Sequence, residues 1–440
     1  MIVPFLANRI AGNQADLIAN SVPGGEIFVH CGVKVLCAGL SLLLMSACNA
    51  VQQPAGETAP AQVPLTQPAP GPTGTSGSPT SGTITDPAEG VIPGLADIPS
   101  NFDTNSLLVP SWGTGAVPGS AAPDVVGAFR FICHAGQVLA DDPIVFPGQP
   151  GKSHLHQFFG NLNANSSSTY ASLRSTGGSS CEGSAGSAAL NRSAYWMPAM
   201  LDGIGHVVRP DNVAIYYKRR PLNDPKCSTS GDPQAEGNCV PLPNGLRFIF
   251  GYDMLTGEAP TGAGYFNCQG ETGTQGHYPT ITEAMAHCPT AQHSDGSYNQ
   301  LGAVVNAPSC WDGRNLDSAN HRSHVAYPGY GNWGYQRCPA DHPFVIPTFT
   351  MGVWYTVDAN LGKWHLSSDE MVPGAAPGST FHADWFGAWD NVIETMWLNH
   401  CTNKLLNCSG GDLGNGMQIK NAWGGIPSWH ANPRLVPVPS

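Results

Sequence analysis

Two imidazoles stand one residue apart in Ser153-His154-Leu155-His156-Gln157-Phe158-Phe159-Gly160. If this run is extended, side chains two apart point to one face, so His154 and His156 lie side by side while Leu155 turns away. Such a pair can ligate a metal ion, or divide acid and base roles between two rings that titrate near neutrality. Two later stretches hold the same residue types: His321-Arg322-Ser323-His324-Val325-Ala326-Tyr327-Pro328 and Phe381-His382-Ala383-Asp384-Trp385-Phe386-Gly387-Ala388-Trp389-Asp390. With 15 histidines in 440 residues, an HxH or HxxH spacing arises by chance in roughly one such sequence of two. Convergence of the three stretches must therefore carry what spacing cannot.

Three chemistries compete for these residues. In the first, neutral imidazoles and a carboxylate bind Zn²⁺ or Cu²⁺. Nitrogens come from His154 and His156 with His321, His324 or His382, Asp384 is a ligand or orients one, and a coordination position stays open. In the second there is no metal. A histidine such as His154, His156 or His324 moves a proton, Tyr327 donates one, and Arg322 neutralises a substrate carboxylate or oxyanion, a set that suits a polysaccharide lyase. Hydrolysis by the carboxylates of Asp384 and Asp390 is the weaker variant, because six residues of helix leave them off a common face. In the third there is no chemistry: aromatic side chains stack on sugar rings, and the histidines only order loops by bonding to carbonyls. Three histidines within ligand distance favour the first reading, whereas an aromatic groove without convergent histidines favours the third. No GxSxG elbow offers a nucleophile.

The elements that must position these groups read mainly as strands. Val125 to His134, Ala194 to Leu201, Val213 to Lys218 and Leu246 to Tyr252 are short runs rich in β-branched and aromatic residues, bounded by Gly, Pro, Asn or Asp. Phe344 to Val357 is another, and a turn at Asp358 to Gly362 returns it as Lys363-Trp364-His365-Leu366, a hairpin. Two helices stand out. Thr280 to Cys288 opens on a capping signature, and Trp385 to Asn399 sets Trp385, Trp389, Val392, Met396 and Trp397 at helical spacing, a stripe that should be core. Asp384 then sits at that helix's entrance, where a cap is its plain role. The expected fold is mainly β: one antiparallel sandwich or jelly-roll-like domain over residues 101–440, with long loops and a few short helices.

Composition bounds the setting. Charged residues are 11% of the chain and the formal net charge is −12, so no basic footprint exists for nucleic acid. With 53 Gly, 39 Pro, 11 Trp and 12 Tyr, the chain reads as turn-rich with aromatic-lined surfaces, which suit a polysaccharide or envelope glycan as partner. Lys34, the apolar run Leu36 to Met45 and Ser46-Ala47-Cys48 have the layout of a bacterial lipoprotein signal, with Cys48 lipidated. Residues 1–32 then read as an extension ahead of a start near Val33. An ordinary cleaved signal is the rival reading. A spanning helix is not, since the twelve positions from Leu36 to Ala47 fall short of the roughly 20 it needs. Residues 49–100, dominated by Pro, Gly, Thr, Ser, Ala and Gln, read as a flexible tether, leaving the lipid as the only membrane attachment. Beyond Cys31, Cys37 and Cys48 there are ten cysteines: Cys133, Cys181, Cys227, Cys239, Cys268, Cys288, Cys310, Cys338, Cys401 and Cys408. In an exported chain they read as about five disulfides, with Cys227/Cys239 and Cys401/Cys408 the first pairings.

The blocks Asp142-Pro143-Ile144-Val145, Ser153 to Gly160, His321 to Pro328 and Phe381 to Trp385 with Trp389-Asp390 resemble a domain of unknown function, number nineteen ninety-six. The resemblance spans roughly 125–400. That family occurs in secreted fungal and bacterial proteins, in fungi sometimes beside a carbohydrate-binding WSC domain. The resemblance implies an extracellular or cell-envelope setting and offers no activity to carry over.

Overall fold

The computed structural model of the chain describes residues 94–111, 126–181, 190–260, 262–330, 335–420, 422 and 433–439. Cys48 and residues 1–93 lie outside them. Among the described residues no helix is long and apolar enough to cross a membrane.

Eleven strands build two facing sheets. In chain order they are β1 (Gly127–Cys133), β2 (Val138–Leu139), β3 (His156–Gly160), β4 (Ala194–Pro198), β5 (Asn212–Arg219), β6 (Arg247–Gly251), β7 (Gly264–Gln269), β8 (Gln300–Asn306), β9 (Thr348–Thr356), β10 (His382–Phe386) and β11 (Asn407–Cys408). One sheet runs β6-β10-β4-β3-β2, wholly antiparallel. The other runs β7-β8-β9-β5-β1-β11 and is antiparallel up to its last pair, where β11 lies parallel to β1. The fold is a mainly β sandwich, as the short aromatic runs lead one to expect.

Alternation along the strands decides what each face holds. Phe159, Tyr195, Met197, Phe248, Phe250, Ala383 and Trp385 point from the five-stranded sheet into the main core, where they meet Phe131, Tyr217 and Phe349 of the other. Ring centroids of Phe131 and Tyr195 lie 6.3 Å apart, and those of Phe349 and Trp385 5.5 Å. The outer face of the same sheet carries a second, smaller core around Phe158, Trp196 and Phe386, closed by Ile144, Tyr170 and Leu173. His156, His382 and Asp384 share that outer face.

Three helices attach to this frame: α1 (Tyr170–Ser175), α2 (Ile281–Met285) and α3 (Asn391–His400). Thr280 caps α2 by accepting from the Glu283 N–H at 3.1 Å, the cap its sequence announces. The second expected helix needs correction. Trp385 belongs to strand β10, and α3 begins only at Asn391, capped by Asp390, whose Oδ1 accepts from the N–H groups of Val392 and Ile393. Trp385, Trp389 and Trp397 are core all the same, but Val392 is 53% exposed. The expected hairpin fails too. Both edges of β9 are already bonded, to β8 and β5, so the returning His365–Leu366 pairs with Met200–Leu201 instead.

All ten cysteines form disulfides: 133–181, 227–239, 268–288, 310–338 and 401–408. Residues Gly94 to Ser100, expected to end the tether, are held to the domain. The Leu95 N–H donates to Asn244 O at 3.0 Å, Arg174 Nε donates to Ile98 O at 3.1 Å, and Leu95 and Ile98 pack on the outer core.

Candidate metal centre

His156 opens β3 and His382 opens β10, with β4 between them. His156 pairs with Pro198, and the β10–β4 register Asp384↔Trp196 carries His382 towards the same level. Asp384 is two residues on from His382, so it shares the face. His154 precedes β3 and closes the group from the loop. Its ring centroid lies 4.2 Å from that of His156 and 5.2 Å from that of His382. One ring nitrogen from each of His154, His156 and His382 lies within 4.8 Å of the other two. A second group with the same property is Asp142, His156 and Asp384, all buried.

Hydrogen bonds fix which nitrogens are free. His156 Nδ1 lies 2.9 Å from Asp141 O, and His382 Nδ1 2.8 Å from Thr380 O. A carbonyl only accepts, so each Nδ1 carries the proton and each Nε2 keeps its lone pair, the tautomer a metal-ligating histidine adopts. Nε2 of His154, Nε2 of His156 and Oδ2 of Asp384 are all buried without a hydrogen-bond partner. A buried polar atom left without a partner costs about 1–3 kcal/mol. Three on one patch call for a shared partner that donates or coordinates.

The electrostatics agree. Burial first, and then the neighbouring ring, pushes His154 down to about 2 and His156 and His382 down to about 3, so all three are neutral. Asp384 is raised well above the usual carboxylate range by burial and then by Asp142, with Arg322 pulling it back. Asp142 is raised by burial while the Val145 and Ile144 N–H groups, each 2.8 Å from its Oδ1, oppose this. Gly251 of β6, at φ +86°, faces His382 so closely that a Cβ there would stand 2.8 Å from the His382 Cα, which seals the strands beneath the site.

The remaining sequence candidates are employed elsewhere. His324 is buried with both ring nitrogens bonded, Nδ1 to Ser318 Oγ and Nε2 to Arg247 O, each at 2.9 Å. His321 pairs through Nδ1 with Asp317 Oδ1 at 2.8 Å, while its carbonyl accepts from Ile249, the residue opposite Asp384. Arg322 donates to the carbonyls of Gly251 and Tyr252 at 3.1 and 2.7 Å. The Tyr327 hydroxyl donates to Asn306 O at 2.8 Å, and burial raises its pKa. Asp142 joins the ligand groups without being among the residues that the sequence singles out as ligands. Its signal was the doublet Asp141-Asp142 ahead of a turn, where short carboxylates bind backbone N–H groups.

Residues 142–389, more than half of the chain, match the family model described as a domain of unknown function (DUF1996). The chain is a DUF1996 protein. The matched span of the DUF1996 domain runs from Asp142 to the residue before the α3 cap, and so takes in every member of both ligand groups. No curated protein and no solved structure matches this DUF1996 chain.

Proposed function

We propose that the protein is an exported, metal-dependent enzyme acting on polysaccharide, its ion held by Nε2 of His154, His156 and His382. The observation that carries this reading is the convergence of three neutral imidazoles, two with Nδ1 fixed on carbonyls, on one patch. Three nitrogen ligands with an open position is the arrangement of catalytic Zn²⁺, and imidazole suits Cu²⁺ equally. Such an ion polarises a substrate oxygen or activates a bound water. The unpartnered Oδ2 of Asp384 supports this reading, since Asp384 would serve as a further ligand or as a hydrogen-bond partner for such a water.

A cleft of about 310 Å³ lies against the neighbouring strand β6, lined by Gly251, Asp253, Glu258, Arg322 and Tyr327 among others. Gly251 is the Cα partner of His382 and Ile249 that of Asp384, so the cleft adjoins the centre by one strand and is the candidate substrate path. The metal-free lyase reading is less well supported, because Arg322 and Tyr327 are engaged by backbone carbonyls. The plain glycan-binding reading finds less support among the described residues, where every tryptophan is buried and the exposed tyrosines are Tyr330 and Tyr335. Polysaccharide as partner rests on the sparse charge and exported character of the sequence, with attachment to the membrane through lipid at Cys48.

Elemental mass spectrometry of the purified full chain tests the centre. Near-stoichiometric Zn or Cu is expected, lost in His382→Ala and in the His154→Ala/His156→Ala double variant while the melting transition persists. A wild-type protein that takes up neither metal on reconstitution refutes the proposal.

A further inference from the structure

A separate cavity of about 370 Å³ lies beside α3 and shares no residue with the histidine centre. Asn391, Glu394, Thr395, Leu398 and Asn399 line it from positions i, i+3, i+4, i+7 and i+8, which is one face of the helix. The wall opposite is the Pro241–Asn244 loop together with Gly94 and Leu95. Glu394 is only 7% exposed. Its Oε1 accepts from the Leu242 N–H at 3.3 Å, and among the described residues nothing donates to its other oxygen. Asn391 Oδ1 is buried in the same wall with no partner.

We infer that this cavity is a binding site for a small, uncharged, hydroxyl-bearing ligand, of the size and polarity of one sugar unit or a cyclic polyol. Amides, a hydroxyl and a carboxyl supply donors and acceptors together, while Leu95, Pro243 and Leu398 give an apolar wall for C–H faces. No lysine or arginine lines the cavity to hold an anion. Arg219 and Arg174 act on Glu394 electrostatically without lining the cavity, and their guanidinium groups are taken up by Val240 O and Asn403, and by Ile98 O, Ala388 O and Asp390. Burial is the largest influence on Glu394 and holds it up at about 8, so at neutral pH it is a carboxylic acid that can donate as well as accept, and no fixed charge invites a cation.

Ligand-observed NMR and calorimetric titration of the full chain with methyl β-glucoside, methyl N-acetyl-β-glucosaminide and myo-inositol, against glucosamine and glucose 6-phosphate as charged counterparts, test this. At least one neutral probe is expected to bind. Thr395→Trp or Asn399→Trp, each filling the cavity from an exposed position, should weaken it by at least about tenfold, and Glu394→Gln, which keeps a donor and an acceptor, should change it by less than about threefold. Melting curves check that each variant is folded. No binding by any neutral probe, binding indifferent to both tryptophans, or a tenfold preference for a charged probe would overturn the assignment. None of these readouts depends on the metal centre, whose failure would appear in metal content alone.

Discussion

Histidines in this chain divide by what their second nitrogen does. In His324 both nitrogens are satisfied, so the ring is a cross-link between Ser318 and the β6 backbone. In His156 and His382 Nδ1 is held on a carbonyl, and for His156, as for His154, burial without a partner for Nε2 is a cost that a bound ion would remove. Glu394 offers a readout of its own. Its folded-state pKa is raised from 4.5 to about 8. The folded chain therefore keeps a proton that the unfolded chain releases above its own pKa, so stability present at low pH is lost as pH rises through that window. Arg219 and Arg174 are the charged groups that act on it, and both oppose the effect of burial. The melting temperature of Glu394→Gln should climb relative to wild type from about pH 5 to about pH 8 and then level off, and a flat difference across that range would mean that Glu394 is ionised in the fold.

Among the elements, α3 depends on its first residue contacts more than on propensity. Asp390 caps the helix, pairs with Arg174 at 3.4 Å, and accepts from Ser100 Oγ and Thr104 Oγ1. The pair is buried, with side-chain exposures of 0% for Arg174 and 4% for Asp390. Asp390→Ala removes a cap worth about 1 kcal/mol and leaves a buried guanidinium uncompensated, which costs about 3–5 kcal/mol. Chemical denaturation should show a loss of that order. A loss under about 1 kcal/mol would mean that Arg174 finds other acceptors. Strand β10 is the complementary case. From His382 to Trp385 polar and apolar residues alternate with period two, a strand signal that the tryptophan spacing masks.

For the whole molecule, the disulfides close loops of very different size. Cys133–Cys181 spans 48 residues and ties β1 to the segment after α1, whereas Cys401–Cys408 spans 7. Loop-closure entropy then gives about 4 kcal/mol for the first and about 2 kcal/mol for the second. Paired Cys→Ser variants compared by equilibrium denaturation should rank in that order, and the reverse ranking would point to strain or residual structure as the controlling factor.

Strand-rich character, ten paired cysteines, the α2 cap and the family blocks are local or compositional, so they are legible in one dimension. Phe129-Arg130-Phe131 or Ala194-Tyr195-Trp196 can hardly be anything but strand, because β-branched and aromatic side chains fit a pleated, half-buried surface. The partner of a strand is another matter. Nothing local in Lys363 to Leu366 says that β9 has both edges filled, so a turn sequence alone suggested a hairpin that the sheet does not contain. The histidine centre shows the same division. Sequence supplied His154, His156, His382 and Asp384 as candidates together with His321, His324, Arg322 and Tyr327, which have the same side-chain chemistry. Only the lateral order β6-β10-β4-β3 set the first four on one face with Asp142 and spent the others on carbonyls and carboxylates, since ligand distance across three strands is fixed by register and not by spacing along the chain.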